Sequence, residues 1–143
     1  MNPATTNDSP ADMVDRLART TNAHDLDGLV DCFAVDYRNE TPVHPARGFT
    51  GREQVRSNWQ QIFAAVPDLQ AKVLRSAVTD DTVWSEWEMA GTKPDGTAHL
   101  MRGVILFGVT AGRASWARFY LEPVQPGGGS IDSAVAAQLR SAQ

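Results

Sequence analysis

Apolar positions along the chain change their spacing once. Before Pro67 they recur every three or four residues, and from Leu69 onward they alternate with polar ones. In "SPADMVDRLART", Met13, Val14 and Leu17 share one helical face, with Ser9 as N-cap, Pro10 at the first helical position and Asp12 at the third. "HDLDGLVDCFA" repeats that period through Leu26, Leu29, Val30 and Phe33, which predicts a second helix, and "DYRNETPV" follows as the first strand. The third helix, in "TGREQVRSNWQQIFAAVPD", carries a stripe of Val55, Trp59, Ile62, Phe63 and Val66. Thr50 and Glu53 give it a T-x-x-E capping box, and Pro67 ends it.

Four extended segments complete the core of the pattern: "LQAKVLRSAVT", "TVWSEWEMAG", "AHLMRGVILFGV" and "RASWARFYLEPV". Asp80-Asp81, "TKPDG" and "TAG" separate them as turns, so the strands are expected to form hairpins in a strongly curved antiparallel sheet. Residues 1–8 read as a flexible polar tail, 9–124 as the domain, 125–130 as a Gly-rich linker and 131–143 as a short terminal helix. In that last segment Ile131, Val135 and Leu139 recur at four-residue spacing. Helix, helix, strand, helix and four long strands make an α+β fold, in which three N-terminal helices close one side of a bent sheet.

Composition narrows the function classes. A chain of 143 residues forms one ordinary domain, and its 42% hydrophobic and 21% charged residues are those of a globular protein. Apolar runs such as Val104 to Val109 fall far short of the roughly 20 residues that span a bilayer. The start, "MNPATTNDSP", lacks the basic and apolar regions of a signal peptide, so the expected location is cytoplasmic, with no membrane partner. Net charge is −4 with scattered Lys and Arg, which argues against a nucleic-acid partner. Cys32 stands alone in an apolar pattern and is expected to be a buried structural cysteine.

The element order, with "G-x-E-x-V", "PD" after the third helix, "W-x-x-x-GT-x-x-DG", "RGV-x-x-F-x-V" and "GR-x-x-x-x-R-x-Y-L-E", resembles the SnoaL-like branch of the nuclear transport factor 2-like superfamily. The likeness spans about residues 11 to 124. It implies a cone-shaped α+β barrel that holds a small apolar ligand without a cofactor. The superfamily's polyketide cyclases, ketosteroid isomerases, limonene-type epoxide hydrolases and binding proteins share that fold, so the resemblance does not choose among them.

Strand alternation assigns the cone. Ser85, Trp87, Met89, Phe119 and Leu121 are expected inside, closed by Trp59 and Phe63 from the third helix and by Leu17 and Phe33. Turn counting places Arg102, Val104 and Leu106 inward too. The opposite face carries Trp84, Glu86, Glu88, Trp116, Arg118, Tyr120 and Glu122. Burying so many ionised groups under helices is costly, so this face is expected on the back of the sheet. There Trp84, Trp116, Arg118 and Tyr120 would form a homodimer contact, as the resemblance implies.

Family chemistry transfers poorly onto these positions. The resemblance places Thr41 where an isomerase has its base, and Val104 where it has its acid. It places Ser85, Trp87 and Phe119 where hydrolase or cyclase side chains belong. Tyr37 and Asn39 resemble the water-holding pair of the limonene-type hydrolases. Three readings stay open: a cofactor-free cyclase, isomerase or hydrolase, a non-catalytic binding module, and a dimeric interaction protein. Any acid–base chemistry is expected from His44, with Glu40 orienting it and Asn39 beside it, because His44 has an ordinary pKa near neutrality. His24 and His99 are not selected, and the three histidines offer no metal-ligand spacing. The predicted ligand contacts are Tyr37, Trp59, Phe63, Ser85, Trp87, Met89, Arg102, Phe119 and Leu121.

Overall fold

The computed structural model describes residues 9–141; the predicted tail, residues 1–8, lies outside the described residues. In chain order the elements are α1 (Pro10–Asn22), α2 (Leu26–Asp31), β1 (Phe33–Glu40), a 3-10 turn (Pro45–Arg47), β2 (Phe49–Thr50) and α3 (Arg52–Ala65). The long strands β3 (Gln70–Thr79), β4 (Thr82–Thr92), β5 (Ala98–Thr110) and β6 (Arg113–Pro123) follow, and then α4 (Ile131–Ser141). One curved sheet runs β2-β1-β6-β5-β4-β3. Its neighbours are antiparallel except β1 and β6, which lie parallel because the chain from β1 travels through α3 and three hairpins before returning. Among the described residues no helix is long and apolar enough to cross a membrane.

Two local expectations differ from the structure. The second helix stops at Asp31, and Phe33 already begins β1 and packs edge-on against Tyr37 with ring centroids 4.7 Å apart. Phe33 satisfies the helical period and the strand equally, and pairing with β6 decides the matter. The T-x-x-E box at the start of α3 is not formed: the N-cap is Gly51, at φ 100°. That left-handed backbone suits a glycine, and it turns the chain from β2 into the helix one residue after Thr50.

Packing follows the apolar face of each element. α1 buries Met13, Val14, Leu17 and Thr21. The Asn22 amide then clasps the edge strand β3, donating to Ala71 O at 2.9 Å and accepting from Ala71 N at 2.6 Å. Arg16 reaches Gly112 O at 2.9 Å and so ties α1 to the β5–β6 turn, beside a buried Cys32 as expected. The inner sheet face carries Val83, Trp87, Ile105, Phe107 and Ala117, all at most 1% exposed. Each large side chain buried this way contributes about 1.5–3 kcal/mol.

Cross-strand partners correct the predicted register of β5. Trp87 lies opposite Gly103 and Met89 opposite Met101, so odd-numbered β5 residues face the helices. Arg102, Val104 and Leu106 therefore stand on the outer face, where Arg102 donates to Glu88 at 2.9 Å. A one-residue slip in counting the "TKPDG" turn inverts the whole strand, and the structure settles it with the charge in water. Elsewhere the outer face is as expected. It holds the pairs Arg75–Glu86 at 3.0 Å and Arg118–Glu40 at 2.8 Å, with the Arg118 guanidinium 5.2 Å from the Trp116 ring centre. The Trp116 indole packs on Gly108, where an added Cβ would clash with the ring, so only glycine permits that approach.

Candidate functional site

Between the inner sheet face and α3 lies a cavity of about 290 Å³. Its apolar wall comes from Phe33 and Tyr37 of β1, Phe49 of β2, Val55, Trp59 and Ile62 of α3, and Leu69, Met89, Met101, Phe119 and Leu121. α3 fully buries only Val55 among its residues, and of its remaining apolar stripe Trp59 and Ile62 face the cavity. Asn39, Thr41, Arg47, Asn58 and His99 supply the polar part of the lining, and among the described residues no carboxylate belongs to it.

The polar groups are arranged by alternation and by hydrogen bonds. Tyr37 and Asn39 lie two apart on β1 and so share its inner face. The Tyr37 hydroxyl donates to Asn39 Oδ1 at 2.7 Å, and both side chains are buried. Burial drives the Tyr37 phenol far above its ordinary pKa, so it stays a neutral donor. With its oxygen engaged, Asn39 presents its amide N–H groups. Thr41 spends its proton on His44 O at 3.0 Å. Among the described residues no group of three His, Cys, Asp or Glu side chains is placed to hold a metal ion.

Several predicted site residues stand elsewhere. His44 and Glu40 are absent from the lining: His44 Nε2 contacts Glu122 Oε1 at 3.1 Å, while Glu40 accepts from Arg118 at 2.8 Å. Glu40 therefore does not orient His44: on the outer face of β1 its carboxylate is taken by Arg118, and Glu122 is the carboxylate that meets His44. Ser85 and Trp87 point inward but are sealed in the core. Trp87 Nε1 donates to Ser85 Oγ at 2.7 Å, and Ser85 Oγ donates to Ile105 O at 2.8 Å. Phe63 turns from the cavity to stack on His24, with centroids 4.4 Å apart and planes 12° from parallel. His24 also bonds Leu69 O at 2.9 Å, which makes it a packing residue at the end of α3.

A family model described as the SnoaL-like domain matches residues 14–117. The chain belongs to the SnoaL-like family. Solved structures agree on the fold of this SnoaL-like protein. Wild-type IdmH, a putative polyketide cyclase from Streptomyces antibioticus, is 23% identical, with 92% of this chain and 99% of that chain covered at a TM-score of 0.69. A Mycobacterium tuberculosis protein in complex with estradiol-17β-hemisuccinate is 21% identical over 87% and 97% of the two chains, at 0.68. A protein of ketosteroid isomerase-like fold from Catenulispora acidiphila, in complex with trimethylamine, is 19% identical over 79% and 87%, at 0.63. No curated protein matches the sequence.

Within this SnoaL-like cone, Phe119 occupies the cavity where the family resemblance implies a last-strand aspartate. His99, Arg47 and Asn58 are the polar lining residues that sequence reasoning passed over. His99 lies two residues before Met101, so the corrected register of β5 alone is enough to turn it inward. Arg47 and Asn58 gave no comparable signal, since one sits in an irregular turn and the other on the polar flank of α3.

Proposed function

We propose that this SnoaL-like protein is a small-molecule binding protein that holds a compact, ring-containing compound of polyketide, terpenoid or steroid kind, with its oxygen against Asn39. One observation supports this reading above the catalytic ones. The cavity is walled by aromatic and sulfur-containing side chains, ends in the Tyr37–Asn39 pair, and contains no carboxylate among its lining residues. Carboxylate-driven cyclisation, isomerisation or epoxide opening has no base there. Tyr37 and Asn39 can hold a water, but neither activates it. The Mycobacterium tuberculosis protein of the same fold, in complex with estradiol-17β-hemisuccinate, gives such a ligand a precedent in that protein.

A second reading, cofactor-free turnover, rests on His99, the imidazole among the described lining residues and the side-chain type most used for acid–base work. Its working assembly is proposed to be a cytoplasmic homodimer through Trp84, Trp116, Arg118 and Tyr120. Titration with estradiol-17β-hemisuccinate, read by Trp59 emission, tests the main reading. Saturable quenching that is lost in Trp59→Phe and weakened about tenfold in Asn39→Leu is expected, one hydrogen bond in a dry site being worth about that much. Quenching unaffected by either change would place the ligand elsewhere. Turnover of a bound ligand that disappears in His99→Ala would favour the second reading.

A further inference from the structure

The polar lining of the cavity is biased towards donors. Asn39 Oδ1 already accepts from the Tyr37 hydroxyl at 2.7 Å, and Asn58 Oδ1 already accepts from Gln54 Nε2 at 2.8 Å. Each asparagine is thus left with an N–H₂ group that has no protein acceptor among the described residues. Arg47 adds a guanidinium that donates only, and none of the ion pairs among the described residues involves it. On the outer face, by contrast, Arg102 pairs with Glu88 and Arg118 with Glu40, and His44 contacts Glu122. Thr41 offers only lone pairs, since its proton goes to His44 O, and the Tyr37 oxygen and one nitrogen of a neutral His99 are the other side-chain acceptors of the described lining.

From this we infer that the ligand is an apolar carboxylate, its ring body against Trp59, Met89 and Phe119 and its acid group shared by Arg47, Asn39 and Asn58. The inference rests on the ligand-binding reading and names the chemical class of the ligand. A carboxylate is the group that fits best, because its two oxygens offer about four acceptor sites to a donor set of this size, where a ketone or a hydroxyl leaves donors unmet. A cationic ligand finds no counter-charge in the lining. Arg47 is exposed at the mouth, so it can meet an incoming anion before the ring body is desolvated.

The test compares 2-naphthoate with methyl 2-naphthoate, which keeps the ring and both oxygens but not the charge, by titration calorimetry on the full chain. Naphthoate is expected to bind about tenfold or more tightly than the ester, the usual advantage of a charge-assisted pair. Arg47→Gln should lower naphthoate affinity several-fold and leave the ester unchanged. Asn58→Asp, which places a like charge in the lining, should weaken naphthoate selectively. Equal affinity of the two probes for the unaltered protein, or a naphthoate preference that survives Arg47→Gln, would overturn the carboxylate assignment while leaving the binding reading intact. Failure of both probes to bind would overturn the binding reading itself.

Discussion

Replacing Tyr37 with phenylalanine removes the hydroxyl group and leaves the ring packed between Phe33 and Phe49. Asn39 Oδ1 then loses its donor in a buried site, so Tyr37→Phe is expected to destabilise the fold by about 1–3 kcal/mol in urea titrations. A second residue-scale effect concerns pH. The Thr92 N–H donates to Asp68 at 2.7 Å and holds that carboxyl below the usual carboxylate range, helped by His24 nearby. A depressed folded-state pKa contributes stability above the ordinary carboxyl pKa and loses it as pH falls. The stability gap between the unaltered protein and Asp68→Ala should therefore be present at neutrality and shrink below about pH 4. Residue identities at the site were half legible in the sequence. Trp59, Met89, Phe119 and Leu121 follow from alternation and helical period, and Tyr37 and Asn39 were singled out by the family resemblance. His44 and Glu40 drew attention by density and chemistry alone, and their ion-pair partners hold them outside the lining.

At the scale of elements, local patterns were sufficient where one face is buried. The three hairpin turns fall where expected, with Asp80 and Ala111 both in the left-handed region that tight turns demand. The register of β5 was not readable, because its apolar run Val104 to Val109 buries residues on both faces and so erases the alternation. The two-residue β2 was also invisible, being specified by its pairing with Arg38 and Asn39 rather than by its own composition. α4 poses the converse case: the helical period is present, yet its described residues are exposed, Ile131 at 76% and Leu139 at 67%. A helix that buries no side chain adds little to the fold it is joined to, so deleting residues 129–143 should change unfolding free energy by less than about 0.5 kcal/mol. A larger loss would mean that α4 packs on the domain in solution.

At the scale of the whole molecule, the proposals concern two surfaces, the cavity beneath α3 and the outer sheet face. On the outer face Trp84 is 50% and Tyr120 41% exposed, amid paired charges from β1, β3, β4, β5 and β6, a mixture of apolar anchors and polar rim that suits a second copy. Light scattering of Trp116→Ser/Tyr120→Ser tests that assembly: monomers are expected, and an unchanged dimer would move the interface elsewhere. The central claim is that ligand recognition belongs to the cavity and its donor pair, not to the His44 loop or the outer face. Side-chain amide and indole NMR during titration with 2-naphthoate addresses it most directly, because Asn39, Asn58 and Trp59 report on the cavity while Trp84 and Trp116 report on the outer face. Saturable shifts at Asn39, Asn58 and Trp59, with Trp84 and Trp116 unmoved, are predicted. Shifts confined to Trp84 and Trp116 would contradict the account.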